Sequence, residues 1–104
     1  MRGRYTYPIS YILIIFKYLE WRRQRYGNRS ACFTYRGILN WLRFQKELSD
    51  LEPTTLERNI RRLAEDGYLI RVRERPTALF CASRTFFDYL KRMFPDLADW
   101  EIWE

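Results

Sequence analysis

Apolar positions change their spacing twice between Pro53 and Ser83, and each change predicts an element. Leu56, Ile60, Leu63 and Ala64 recur at the i, i+4, i+7, i+8 spacing of a helix with one buried stripe. Pro53 suits the first helical position, where its missing N–H costs nothing. Gly67 can adopt the left-handed conformation that closes a helix, so this one should end near Asp66. From Ile70 onward the period falls to two, with Ile70 and Val72 on one face and Arg71 and Arg73 on the other. Pro76-Thr77 makes a turn, and Ala78–Ala82 returns as a second strand.

The flanking segments read in the same way. Met1–Tyr7 is a short basic arm carrying Arg2 and Arg4. A helix is expected from about Pro8 to Tyr26, closed by Gly27-Asn28. Ile9, Ile12, Phe16 and Leu19 cover one of its sides, while Tyr11, Ile14, Tyr18 and Trp21 cover another. A helix this apolar around its circumference needs cover from two directions. Ser30–Phe33 is a strand candidate, and Thr34 caps a second helix carrying Ile38, Leu39, Trp41 and Leu42. Gln45–Glu52 is a polar connection. Ser83 caps a last helix through Phe94, with Phe86, Phe87, Leu90 and Phe94 apolar. Residues 95–104 form an aromatic tail with Leu97, Trp100, Ile102 and Trp103. At 104 residues the chain is expected to be one domain, with a core spanning 8–94.

The order helix, strand, helix, helix, strand, wing, strand, helix resembles a winged helix-turn-helix domain. The phrase Leu56-x-x-x-Ile60-x-x-Leu63-x-x-Asp66-Gly67-Tyr68-Leu69 is similar to the "rLeedGli" consensus that ends the recognition helix of many winged-helix regulators. The long polar connection departs from the tight turn common in that superfamily. The resemblance implies a mostly helical α+β fold with a small antiparallel sheet, a wing and an extra C-terminal helix. It also implies that the strand after the first helix pairs with the returning wing strand, which would set Cys32 beside or diagonal to Cys81. Those cysteines are expected to remain thiols in an ordinary cytosol, a disulfide requiring Cα atoms within about 7 Å and side chains that face each other.

Charge sharpens the expectation. Residues 1–45 carry nine cations and one acid, residues 46–80 seven of each, and residues 81–104 three cations and five acids. A basic half beside a neutral one suits a polyanionic partner. At 100° per residue, Thr54, Thr55, Arg58, Arg61 and Arg62 fall opposite the apolar stripe. Hydroxyls and guanidinium groups are the donors that reach phosphates and base edges in a major groove. The bland alternative is a solvated face with a Glu57–Arg61 pair at i,i+4. Arg71, Arg73 and Arg75 form one row along the wing, suited to phosphate contact or to blocking sheet aggregation. Arg36 and Arg43 on the second helix are further phosphate candidates. Arg22, Arg23, Arg25 and Arg29 gather at the C-terminal end of the first helix, where the helix dipole alone favours cations.

The function these features suggest is sequence-specific binding of double-stranded DNA by a small transcriptional regulator. The 53–66 helix would lie in the major groove and the 70–82 wing on the backbone. Alternatives are a winged-helix adaptor without a DNA ligand and a replication or partition DNA binder. A homodimer interface is expected at Tyr11, Ile14, Tyr18 and Trp21, covered by Leu97, Trp100 and Trp103; the alternative is a monomer in which the tail folds back on the first helix. No cofactor or metal is expected, because histidine is absent and two cysteines cannot assemble a structural zinc site. Without His, a Gly-rich phosphate loop or a nucleophile–base pair, no enzyme is expected. The apolar run Ile9–Phe16 is too short to span a bilayer, and no cleavage site follows it. A cytoplasmic protein without a membrane partner is the expectation.

Overall fold

The computed structural model describes residues 7–45, 53–74 and 76–103. The N-terminal arm with Arg2 and Arg4, most of the 45–52 connection, and Arg75 lie outside the described residues. The rest is a small α+β fold, mostly helical. In chain order it holds α1 (Tyr7–Tyr26), β1 (Cys32–Thr34), α2 (Tyr35–Leu42), α3 (Pro53–Glu65), β2 (Leu69–Arg73), β3 (Leu79–Ala82), α4 (Arg84–Met93) and a closing 3₁₀ turn (Trp100–Trp103). The sheet is antiparallel in the order β1-β3-β2.

Local signals account for most element ends. Thr34 Oγ1 accepts the Gly37 N–H at 3.0 Å and Ser83 Oγ accepts the Phe86 N–H at 3.3 Å, each satisfying an otherwise orphaned donor. α3 ends in a Schellman arrangement: the Tyr68 N–H donates to the Leu63 carbonyl and the Gly67 N–H to the Ala64 carbonyl. Gly67 sits at φ +89, the left-handed conformation that motif needs. The Ser83 hydroxyl also donates to the carbonyls of Gly67 and Tyr68, so the start of α4 is tied to the end of α3.

α1 is the central helix. Ile12, Ile15, Phe16 and Leu19 are buried, and so are Tyr11 and Tyr18, both expected at an outer face. One side of α1 packs on α2 and α3. Another receives the tail, where Phe16 lies 5.0 Å from the Trp100 ring and 5.8 Å from the Trp103 ring. Leu56, Ile60 and Leu63 of α3, Phe33 and Phe80 of the sheet, and Phe86 and Leu90 of α4 complete the core. Asn59 is buried among them on the α3 stripe. Its Nδ2 donates to the Thr55 carbonyl at 2.8 Å, and its side chain hydrogen-bonds the Tyr11 hydroxyl, linking α3 to α1.

Burial pushes the hydroxyls of Tyr11, Tyr35 and Tyr89 above the ordinary tyrosine value, the Asn59 bond opposing the effect at Tyr11. The folded chain therefore favours the neutral phenols. Their stabilising contribution is complete below the unfolded pKa of about 10 and is lost as pH rises through the folded values. The urea midpoint should accordingly be lower at about pH 11 than at about pH 9. An unchanged midpoint would contradict this linkage.

Cys32 and Cys81 stand directly opposite each other in the β1–β3 ladder, as neighbours. Their Cα atoms are 3.9 Å apart and their sulfurs are joined in a disulfide. Of the two states left open, thiols in an ordinary cytosol or a disulfide at close approach, the structure has the second. Direct cross-strand pairing supplies the close approach the bond requires, which a compartment argument alone does not address.

Candidate nucleic-acid interface

The buried stripe of α3 dictates what its other face presents. With Leu56, Asn59, Ile60 and Leu63 inward, Thr54, Arg58 and Arg62 are exposed, and Thr55 and Arg61 are half-buried. Arg58, Arg61 and Arg62 line one shallow groove together with Glu65. The groove is not purely cationic. Arg61 Nη2 lies 3.2 Å from Glu57 Oε2, the i,i+4 pair anticipated for a solvated face. Arg58 enters no ion pair among the described residues. It is the guanidinium on this face best placed to meet a new acceptor.

The β2–β3 hairpin departs from the simple pattern. An irregularity between Arg71 and Arg73 sets Arg71 opposite Phe80 and Arg73 opposite Leu79. Adjacent β3 residues point to opposite faces, so the single row of wing arginines is not maintained, and Arg75 lies outside the described residues. Arg71 Nη1 donates to Glu74 Oε2 at 2.6 Å, and its guanidinium sits 5.8 Å from the centre of the Phe80 ring. Arg73 Nε donates to the Thr77 carbonyl at 3.3 Å across the turn. Both side chains remain solvent-exposed but also organise the hairpin. Ile70 and Val72, the apolar alternates, point outward at 54% and 57% exposure. Leu69 takes the buried position on β2, and alternation then turns Ile70 away from the core.

The α1 arginines serve other ends. Arg22 Nη2 donates to the carbonyls of Ser30 and Cys32 at 2.6 and 2.7 Å, clamping the loop that leads into β1. Arg23 pairs with Glu20 at 2.7 Å. The Arg25 guanidinium lies 6.0 Å from the centre of the Tyr26 ring. Arg36 on α2 and Arg43 at its C-cap are solvent-exposed and line a cleft with Tyr35, Leu39 and Asn40.

The surface expected at a dimer interface is largely consumed within the chain. Tyr11 and Tyr18 are buried, and Ile14 is half-buried. Trp100 and Trp103 lie on Phe16, and Trp103 also stacks on Phe87 at 5.6 Å. The tail therefore covers α1 in cis. Trp21 and Leu97 keep 37% and 40% exposure.

Sequence reasoning assigned the Tyr11, Tyr18 and Trp21 face to an interface, in preference to a small-molecule pocket or a stacking platform, and did not join it to Tyr26, Trp41 and Phe44. Tyr18, Trp21, Trp41 and Tyr26 form a connected aromatic cluster between α1 and α2, with ring separations of 5.5 to 6.3 Å. Phe44 stands beside it at 85% exposure. The available signal was the matching helical spacing of 18, 21, 22, 25, 26 on α1 and of 37, 40, 41, 44 on the α2 side.

No known family, no curated protein and no solved structure matches the chain. Among the described residues there is no group of His, Cys, Asp or Glu able to hold a metal, and no helix long and apolar enough to cross a membrane.

Proposed function

We propose that the chain is a winged-helix protein that binds double-stranded DNA as a small transcriptional regulator, with α3 in the major groove and the β2–β3 hairpin against the backbone. The observation that carries this reading is the outer face of α3. A firmly buried stripe presents Thr54, Arg58 and Arg62 to solvent. The element order and the β1-β3-β2 sheet support it, since they place the hairpin directly after that helix. In this geometry the N-terminal half of α3 reaches the bases, so Thr54 and Arg58 outrank Arg62 for sequence readout. Arg36, Arg43 and Arg73 contact phosphates, which fix register without reading sequence.

The two roles predict different losses. Arg58→Ala should weaken binding to a specific duplex by about 1–3 kcal/mol and relax preference at one base pair. Arg73→Ala should weaken binding to all duplexes alike and reduce the slope of log K against log[salt] by about 1. Fluorescence anisotropy across a salt series measures both. Unchanged affinity in both variants, with circular dichroism intact, would sink the DNA reading.

One observation favours a protein-docking adaptor instead. Ile70 and Val72 are exposed on β2, an edge strand whose free backbone groups could pair with another chain. An adaptor would show little duplex binding at any salt concentration.

A further inference from the structure

The aromatic cluster between α1 and α2 opens into a cleft of about 460 Å³, with Trp21, Tyr26 and Phe44 presenting ring surface to solvent. That volume lies within the range of small-molecule sites. Gly37 belongs to its floor: a Cβ there would stand 2.9 Å from the Tyr18 hydroxyl, so the absence of a side chain lets α2 close on Tyr18. Asn40 stands on the rim and also lines the neighbouring cleft of about 350 Å³, which contains Arg36 and Arg43. An aromatic cleft and a cationic cleft thus share one amide-bearing wall. Neither is lined by Asp or Glu among the described residues.

This combination selects its occupant by charge and shape. A cationic ligand would suit the rings but not the adjoining arginines. A purely apolar partner would leave those guanidinium groups without acceptors. A planar base joined to a phosphate satisfies both clefts, because every base has a π-face for stacking and guanidinium matches phosphate bidentately. A base within an intact duplex is already stacked on both faces and cannot enter.

We propose that the paired clefts hold an unpaired nucleotide of single-stranded nucleic acid, its base among Trp21, Tyr26 and Phe44 and its phosphate on Arg36 and Arg43. The site uses no residue of α3 and so goes beyond the duplex reading, with which it shares only the two α2 arginines.

Quenching of tryptophan fluorescence by a ten-residue oligothymidylate tests this, with a blunt duplex titrated in parallel. Phe44 is 85% exposed, so Phe44→Ala should leave the fold intact by circular dichroism. It should weaken oligothymidylate binding by roughly 5- to 150-fold, the range expected for one lost base–aromatic stack, and leave duplex affinity unchanged. Arg58→Ala should show the reverse pattern, so failure of the duplex reading and failure of this one are distinguishable. Trp21→Ala should match Phe44→Ala. Three results would overturn the proposal. One is oligothymidylate binding that neither aromatic variant alters. Another is thymidine monophosphate binding as tightly as the oligomer, which marks a free-nucleotide site. The third is a dimer dissociated by Phe44→Ala without change in oligothymidylate affinity, which marks a surface for a second copy.

Discussion

Opening the Cys32–Cys81 disulfide should lower the stability of the fold by about 4 kcal/mol, from the loop-closure entropy of its 49-residue separation. Against a total of about 5–15 kcal/mol for a domain, that is a large share. The bond joins β1 to β3 at directly paired positions, so the folded chain already holds the two residues together through the ladder. The unfolded chain is where the constraint acts. The loop it closes contains α2, α3 and β2, and with them Arg36, Arg43, Arg58 and Arg73. Urea unfolding with and without reductant measures the effect, and Cys32→Ala together with Cys81→Ala repeats it without reductant. The crosslink-free chain should also show a steeper dependence on urea, because its unfolded state exposes more surface. Equal midpoints in oxidised and reduced protein would contradict the expectation.

Phe16→Ala is expected to cost about 3–5 kcal/mol, the range for removing a buried aromatic ring. Phe16 is 2% exposed and lies between the core of α1 and the tail, within 5.0 Å of Trp100 and 5.8 Å of Trp103. Its loss would deprive both indoles of their support on α1. Trp103 would keep the Phe87 ring and the Arg23 guanidinium 6.0 Å away. The variant should therefore unfold at lower urea and, while still folded, show red-shifted tryptophan emission. A loss below about 1 kcal/mol with unshifted emission would mean that the tail does not seal α1, since so small a cost belongs to surface positions.

Much of the candidate site was legible in the chain because its signals are local. The α3 stripe follows from a 3.6-residue period, and the face opposite it follows from the same period. Once Leu56, Ile60 and Leu63 are inward, the placement of Thr54, Arg58 and Arg62 needs no further information. The β2–β3 hairpin was read less well. Its two-residue alternation assumed unbroken pairing, and the irregularity between Arg71 and Arg73 depends on how β3 meets β2. The aromatic cleft was only half read: Tyr18 and Trp21 were assigned to an interface, and their meeting with Trp41 and Phe44 was missed because neither helix alone reveals which face meets the other. Asn59 was missed for a related reason. A polar residue inside an apolar stripe looks like an interruption until the hydroxyl of Tyr11, 48 positions away in sequence, is found beside it.

The sequence by itself determined the elements and their ends: the Thr34 and Ser83 caps, the left-handed stop at Gly67, the Pro53 start of α3 and the neighbouring cysteines of β1 and β3. These depend on hydrogen bonds and steric limits within a few residues, or on a strand order that the resemblance already implied. Only the tertiary structure decided which apolar faces were covered. α1 carries apolar groups on most sides, and periodicity cannot say whether a second subunit or the chain's own tail buries them. Trp100 and Trp103 settle on Phe16, Tyr11 and Tyr18 turn inward, and Ile70 and Val72 remain in solvent. Burial is a property of two surfaces meeting, and the second surface in each case comes from a distant part of the chain.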